Sequence, residues 1–356
     1  MSSHGLGHAT RLVGVIQQLC KSFSHIDILL FGQTPDWFWS SNLPHNCKYR
    51  QIHAMTDIGL VQDGPFHHDI KKTQSLLLEF LRFREDSLVG ILQAIDEFKP
   101  TFILSDISPL GVWVGHRLQI PNILLENFTW DWIYQEYLEE DPQFEKIIEQ
   151  LIDIYQMPDL RLQSTPVCDR RDGCVQLEPI FREPTLEDKE IHTRLGLEPD
   201  EKYVLLTTGG ISMPQALENI SCPDFHVVVP GDYPKVEKFN RFICIPMNAG
   251  MPFPDLVASS CCVIGKAGYG TIAECWGTGI PFLGVFRESF RESSVLLEFC
   301  LDNLHFQEIT LDSFLHHSWQ SLLKEFLNQK TDYKNRSNGA IQATAEIIHF
   351  IGDRED

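Results

Sequence analysis

The sequence has no apolar run near the 18 or so residues that a membrane-spanning helix needs. It also shows no basic segment followed by an apolar one at its start, so no signal peptide is expected. Positive charge is scarce: 29 Lys and Arg stand against 49 Asp and Glu, a formal net charge of −20. That balance argues against a diffuse basic face for nucleic acid or anionic lipid. An anionic ligand would instead need a local site built from helix N-termini and a few placed cations. No CxxC pair occurs among the 10 cysteines, so metal-ligand spacing is missing. Reduced thiols in the cytoplasm are the expectation, and only Cys168 and Cys174, in CDRRDGC, are placed to close a small loop.

A strand is also missing where one is expected. The chain opens MSSHGLGHATRLVGVIQQL, a glycine loop that feeds a helix with Leu12, Val15, Ile16, Leu19 and Phe23 on one face. Such a loop normally hangs from the carboxyl end of a strand, but only Met1 stands before Ser2 and Ser3 here.

The rest of the 356 residues is long enough for two domains of ordinary size. Strands fit residues 26–32, 48–53, 101–106 and 122–127, with a long helix over about 72–98 and an acidic one over 139–155. The stretch from Met157 to Pro184 carries four prolines and reads as irregular. Alternation then restarts, with strands over 203–210, 225–231, 242–246, 261–265 and 281–286, before a helical tail after about residue 311. Strands alternating with helices predict parallel sheets covered on both faces, with ligands beyond the carboxyl ends of the strands.

Four loops at such ends hold candidate chemistry. In SSHGLGHATR, His8 begins a helix, whose positive end favours a neutral imidazole able to act as a base; a histidine packed in a turn is the equal alternative. In LSDISP, Asp106 could orient an imidazole, or simply cap the helix that starts near Pro109. In LLTTGGIS, Gly209 and Gly210 can expose backbone N–H groups to a phosphate, on weak evidence taken alone. In GKAGYGTIAECWGTGIPFLGVFRESFRES, Gly268, Gly270 and Thr271 lead into a helix that can hold a diphosphate. Glu274, one turn on, is placed as a surface carboxylate that accepts from two ribose hydroxyls.

These loops resemble those of the GT-B glycosyltransferases. Residues 265–293 are similar to the nucleotide-sugar signature of that superfamily, and SSHGLGHATR to its N-terminal glycine loop. The resemblance is strongest to the glycosyltransferase-like domain at the front of plant L-arabinokinases and to stand-alone bacterial relatives. That domain has a GHGxGHATR loop, an SD after a strand and a phrase like NFTWDWIYQEY. The likeness covers nearly the whole chain, and no sugar-kinase phosphate loop follows residue 310.

The resemblance implies an α/β GT-B fold of two Rossmann-like domains with parallel sheets and a C-terminal helical tail. The expected division is an acceptor-side domain over 1–165, a linker over 166–190, a nucleotide-sugar domain over 191–330, and a helix over 331–356 packing back on the first domain. It implies an inverting, metal-independent, hexosyltransferase-like enzyme in which His8 is the general base and Asp106 supports it. Gly209, Gly210, Lys266, Gly268, Gly270, Thr271, Glu274 and Glu292 would hold the donor. His4, Arg11, Asn127, Trp130 and Asp131 would face the acceptor, although Trp130 could equally be packing. The donor is expected to be a UDP-sugar and the acceptor an unidentified hydroxyl, with no cofactor and no metal. Two other readings stay open: a nucleotide-sugar-binding regulatory module without transfer, and an epimerase or hydrolase on the same fold. Relatives carry an apolar strand ahead of the glycine loop. Its absence here implies either a start site placed too far downstream, which is the favoured reading, or a sheet that has closed up without it.

Overall fold

Each apolar strand run in this chain is followed by an amphipathic helix, and that alternation dictates parallel pairing with helices over the sheet faces. A computed structural model of the chain describes residues 1–2, 6–61, 68–207, 224–287, 290–328 and 336–354. The N-terminal half runs α1 (Gly7–Ser22), β1 (Asp27–Gly32), α2 (Asp36–Asn42), β2 (Lys48–His53), α3 (Ile70–Phe80), α4 (Glu85–Phe98) and β3 (Ile103–Asp106). It continues through α5 (Pro109–Leu118), β4 (Asn122–Glu126), α6 (Trp130–Tyr134), α7 (Phe144–Tyr155), β5 (Leu160–Ser164) and β6 (Val175–Leu177). The C-terminal half runs α8 (Asp188–Leu195), β7 (Tyr203–Thr207), β8 (His226–Gly231), β9 (Glu237–Phe239), β10 (Phe242–Pro246), α9 (Phe253–Ala258) and β11 (Cys262–Lys266). After it come α10 (Tyr269–Thr278), β12 (Phe282–Val285), α11 (Glu292–Asn303), β13 (Phe306–Glu308), α12 (Leu311–Leu315), α13 (Gln320–Leu327) and α14 (Gly339–Gly352).

The C-terminal sheet has the order β13-β12-β11-β7-β8-β10-β9, parallel except for β9 at one edge. The chain builds outward from β7 through β8 to β10, then crosses to β11 on the other side. That reversal is the switch point where doubly wound sheets open a crevice beyond their strand ends. Every residue of β7 is buried, as a strand covered on both faces requires.

The N-terminal sheet comes in two pieces, β1-β2 and β3-β4-β5-β6, all parallel. It has not closed up: β1 and β3 do not pair. Met1 and Ser2 lie between them instead, the Met1 ammonium donating to the Phe31 carbonyl at 3.3 Å and the Ser2 N–H to the Asp106 carbonyl at 3.0 Å. Both contacts fall at the carboxyl ends of β1 and β3, beside the glycine loop.

Three further expectations change. The long helix over 72–98 is two, because Phe83 turns the chain with a φ of 43° and stacks on Trp113 at 4.8 Å. The linker expected over 166–190 contains β6, which extends the N-terminal sheet. Cys168 and Cys174 are free thiols. At the end of the chain α14 lays Ala340, Ala343 and Ile347 into the core shared with α1 and β5. Among the described residues no helix is long and apolar enough to cross a membrane.

Candidate functional site

The first turn of α1 and the end of β3 bring two candidate residues together. His8 Nδ1 lies 2.8 Å from Asp106 Oδ1. One turn further along α1, Arg11 Nε donates to Asp106 Oδ2 at 2.7 Å and its Nη2 to Oδ1 at 2.7 Å. Burial alone would raise the Asp106 pKa, but Arg11 and then His8 overcome it and hold the carboxyl down to about 2. Asp106 is therefore an acceptor only, so His8 Nδ1 donates to it, and Nε2 is the ring nitrogen left unengaged by the carboxylate. Asp106 does not cap α5; Ser108 does, accepting from the Gly111 N–H. His8 is 8% exposed and lines the cleft between the two halves.

Arg11, expected to face an acceptor, lines the cleft but is 1% exposed and spends its donors on the protein. Its Nη1 donates to Asn127 Oδ1 at 2.7 Å, and Asn127 Nδ2 donates to Glu292 Oε1 at 2.7 Å. A four-residue chain thus runs from Asp106 in one half to Glu292 at the start of α11 in the other.

On the C-terminal side, β11 approaches β7 so closely that a Cβ on Gly265 would sit 1.9 Å from the Thr207 carbonyl oxygen. Only glycine fits there, and it sets Lys266 and the turn to α10 over the switch point. A Cβ on Gly270 would lie 2.7 Å from Thr10 Oγ1, so the N-termini of α1 and α10 meet across the halves. Among the described residues no side chain caps either helix, and Gly7, Gly268, Gly270 and Thr271 all line the cleft. Two helix starts with like-signed dipole ends facing one space can receive an anion. The cleft holds about 440 Å³.

Glu274 lines the same cleft but is not a surface residue. Its Oε1 accepts from Arg182 Nε at 2.7 Å and Nη2 at 2.6 Å, with both side chains 3% exposed. Burial raises the Glu274 pKa against the pull of Arg182. At Lys266, burial and then the neighbouring Arg287 lower the pKa to about 8.

Trp130 and Asp131 stand away from the cleft. Trp130 donates to Asp57 Oδ2 at 2.9 Å and stacks on Tyr134 in the core, and Asp131 is buried against Arg171 at 2.6 Å. His4, Gly209 and Gly210 lie outside the described residues. Residues missed by sequence reasoning are Arg182, Arg287 and Tyr269. The first sits in the expected linker, and the others lie inside quoted motifs whose glycines and carboxylates drew the attention. Tyr269 pins the halves together, its hydroxyl bonding Ser164 and accepting from the Ile180 N–H at 3.0 Å.

No protein-family model matches the chain. L-arabinokinase of Arabidopsis thaliana is 26% identical over 370 residues, which cover 99% of this chain and 35% of that protein. The chain thus spans 35% of the length of that curated relative. Among solved structures, CalG4, the calicheamicin glycosyltransferase, is similar with a TM-score of 0.63 and 13% identity, over 98% of this chain and 96% of its own. The spinosyn rhamnosyltransferase SpnG, complexed with thymidine diphosphate, has a TM-score of 0.57 and 13% identity, over 98% of this chain and 94% of its own. Its structural neighbours are GT-B glycosyltransferases, and the two sheets facing each other across a cleft at their strand ends give this chain the GT-B fold.

Proposed function

We propose that the protein is an inverting glycosyltransferase that moves a sugar from a nucleoside-diphosphate donor, a UDP-sugar, to a hydroxyl acceptor. The observation that carries this reading is the His8–Asp106 pair facing the uncapped start of α10 across one cleft. In the reaction, His8 Nε2 takes the acceptor's hydroxyl proton as the acceptor oxygen attacks the anomeric carbon. The bond from that carbon to the β-phosphate oxygen breaks, and the diphosphate leaves with the electron pair. Attack from the face opposite the leaving group inverts the anomeric centre. Asp106 holds the Nδ1–H and so fixes which nitrogen is basic. The leaving diphosphate is met by the two helix N-termini and by Lys266, so the reading requires neither metal nor cofactor. Thr271 and Glu292 support the donor at the same helix starts. Glu274 is placed near the ribose, provided that one of its oxygens is free while Arg182 holds the other.

The clamp of Arg11 on Asp106 favours a second reading, a module that binds a nucleotide sugar without transfer. A carboxylate already neutralised by a guanidinium gives an imidazolium less support. Release of free nucleoside diphosphate from a donor panel with mixed acceptors tests the transferase reading. Release from wild type but not from His8→Ala supports it. Equal release from both proteins refutes His8 as the base.

A further inference from the structure

The segment Ile180–Phe181–Arg182 crosses one face of α10. The Ile180 N–H donates to the hydroxyl of Tyr269, the first residue of that helix, at 3.0 Å. Further along, a Cβ on Gly277 would stand 2.6 Å from the Phe181 ring, so glycine leaves room for the ring to settle there. The ring also packs edge-on to Trp276 at 6.1 Å. Glu274 lies three residues before Gly277, hence on the same face, and Arg182 follows Phe181. The crossing thereby delivers the guanidinium onto the Glu274 carboxylate, and both are buried.

Arg182 is held there from several sides. Asn338 Nδ2 donates to the Phe181 carbonyl at 3.0 Å, and its Oδ1 accepts from the Phe181 N–H at 3.4 Å. On the far side, Asp255 Oδ1 accepts from the N–H groups of Thr185, at 2.6 Å, and Leu186. Arg182 Nη1 donates to Asn42 Oδ1 on α2, in the N-terminal half. Swinging the guanidinium aside for a ligand would strand two buried charges, so the pair stays made.

The result is a carboxylate with one oxygen spent. An ionised carboxylate offers about four lone-pair sites, two on each oxygen. Arg182 Nε, at 2.7 Å, and Nη2, at 2.6 Å, both fall on Oε1 and fill its share. Two neighbouring hydroxyls match a carboxylate best when each meets its own oxygen, and here only Oε2 is left by Arg182. Asn42, Arg182 and Glu274 all line the cleft.

We infer that Arg182 is a specificity-determining residue: by occupying Oε1 it limits Glu274 to one hydroxyl of a ligand's ribose, so a nucleoside diphosphate lacking the other hydroxyl is taken equally well. The inference rests on the nucleotide-sugar reading for the identity of the ligand, and adds to it that one ribose position goes unread. A hydroxyl that donates to a carboxylate contributes about tenfold or more to affinity, which separates a read position from an unread one.

Isothermal titration of the full chain with UDP, 2′-deoxy-UDP and 3′-deoxy-UDP tests this on wild type, Glu274→Gln and Arg182→Lys. On wild type, one deoxy ligand is expected to bind within about threefold of UDP and the other about tenfold or more weaker. Glu274→Gln keeps an acceptor for Arg182 and should weaken UDP and the tolerated deoxy ligand alike, closing the gap to the third. Arg182→Lys keeps the ion pair but gives Oε1 one N–H in place of two, so the tolerated ligand should fall several-fold behind UDP. Tenfold losses for both deoxy ligands on wild type overturn the inference, because both hydroxyls are then read. Equal binding of all three also overturns it, because neither is, and leaves the nucleotide-sugar reading standing. A gap that survives Glu274→Gln, or indifference that survives Arg182→Lys, overturns the part given to that residue. Failure of wild type to bind UDP overturns both the inference and the nucleotide-sugar reading.

Discussion

Replacing Glu274 by alanine would strand a guanidinium. Arg182 gives two hydrogen bonds to Glu274 Oε1, at 2.7 and 2.6 Å, and both side chains are 3% exposed. Deleting one member of such a buried pair leaves an uncompensated charge, and about 3–5 kcal/mol of stability goes with it. Glu274→Gln keeps an acceptor oxygen for Arg182 but exchanges charge-assisted hydrogen bonds for neutral ones, a loss of about 1–2 kcal/mol. Arg182→Met with Glu274→Met removes both charges and keeps the volume, so its stability is expected within about 1 kcal/mol of wild type. Urea unfolding followed by the fluorescence of the seven tryptophans measures all three against the parent. The ordering alanine, glutamine, double methionine is the signature of a buried pair. An alanine variant within about 0.5 kcal/mol of wild type would behave as a surface substitution and refute it. The same ordering makes glutamine the variant for donor-binding measurements, because an alanine variant loses affinity through unfolding whether or not Glu274 touches a ribose.

The remaining predictions concern the base, the phosphate site and the sheet. His8→Ala should lower the rate of nucleoside-diphosphate release by about 10²–10⁴-fold while donor affinity, read by titration calorimetry, changes little. Lys266 has its pKa lowered to about 8, by burial and then by Arg287, and it is charged below that value. UDP affinity should therefore hold below pH 8 and fall as pH rises through it, with proton uptake on binding appearing in buffers of different ionisation enthalpy. A flat profile from pH 7 to 9.5 would remove Lys266 from the phosphate site. Gly265→Ala would push a methyl to 1.9 Å from the Thr207 carbonyl, separating β7 from β11. A loss of about 1–3 kcal/mol or more is expected in urea unfolding, and a neutral result would deny the close approach.

Much of this could be read from local sequence. Apolar runs such as YVLLT and FICIP place β7 and β10 because a strand buried on both faces has no polar side to show. The glycine loops mark the helix starts, and Asp106 is visible as a carboxylate at a strand end. The choice of partner was not visible. Arg11 and Asp106 are 95 residues apart, Arg182 and Glu274 are 92, and Trp130 and Asp57 are 73. Nothing local distinguishes a strand-end tryptophan that meets a ligand from one that turns into the core. The break at Phe83 was hidden for the same reason. Helical periodicity continues through it, and a stacking partner 30 residues on decides the turn. The Met1–Ser2 segment shows the limit most plainly, since two residues have no pattern to read and take their place only from the edges of β1 and β3.

The clamp on Asp106 bears on timing. A neutral imidazole, a carboxylate and a guanidinium sum to no net charge before any reaction. A dyad without the guanidinium would pass from one negative charge to none on taking up a proton. Here the group passes from none to one positive charge, in a buried place, with Arg11 Nη2 3.4 Å from the imidazole Nδ1. A positive charge created there is unfavourable unless a negative one appears nearby in the same step. On the proposed reaction, the departing diphosphate supplies it across the cleft. Proton removal and bond breaking are then tied together, and an acceptor is not activated ahead of the donor. On that reading neither water nor an acceptor hydroxyl beside His8 is deprotonated until a donor is bound whose diphosphate can leave in the same step.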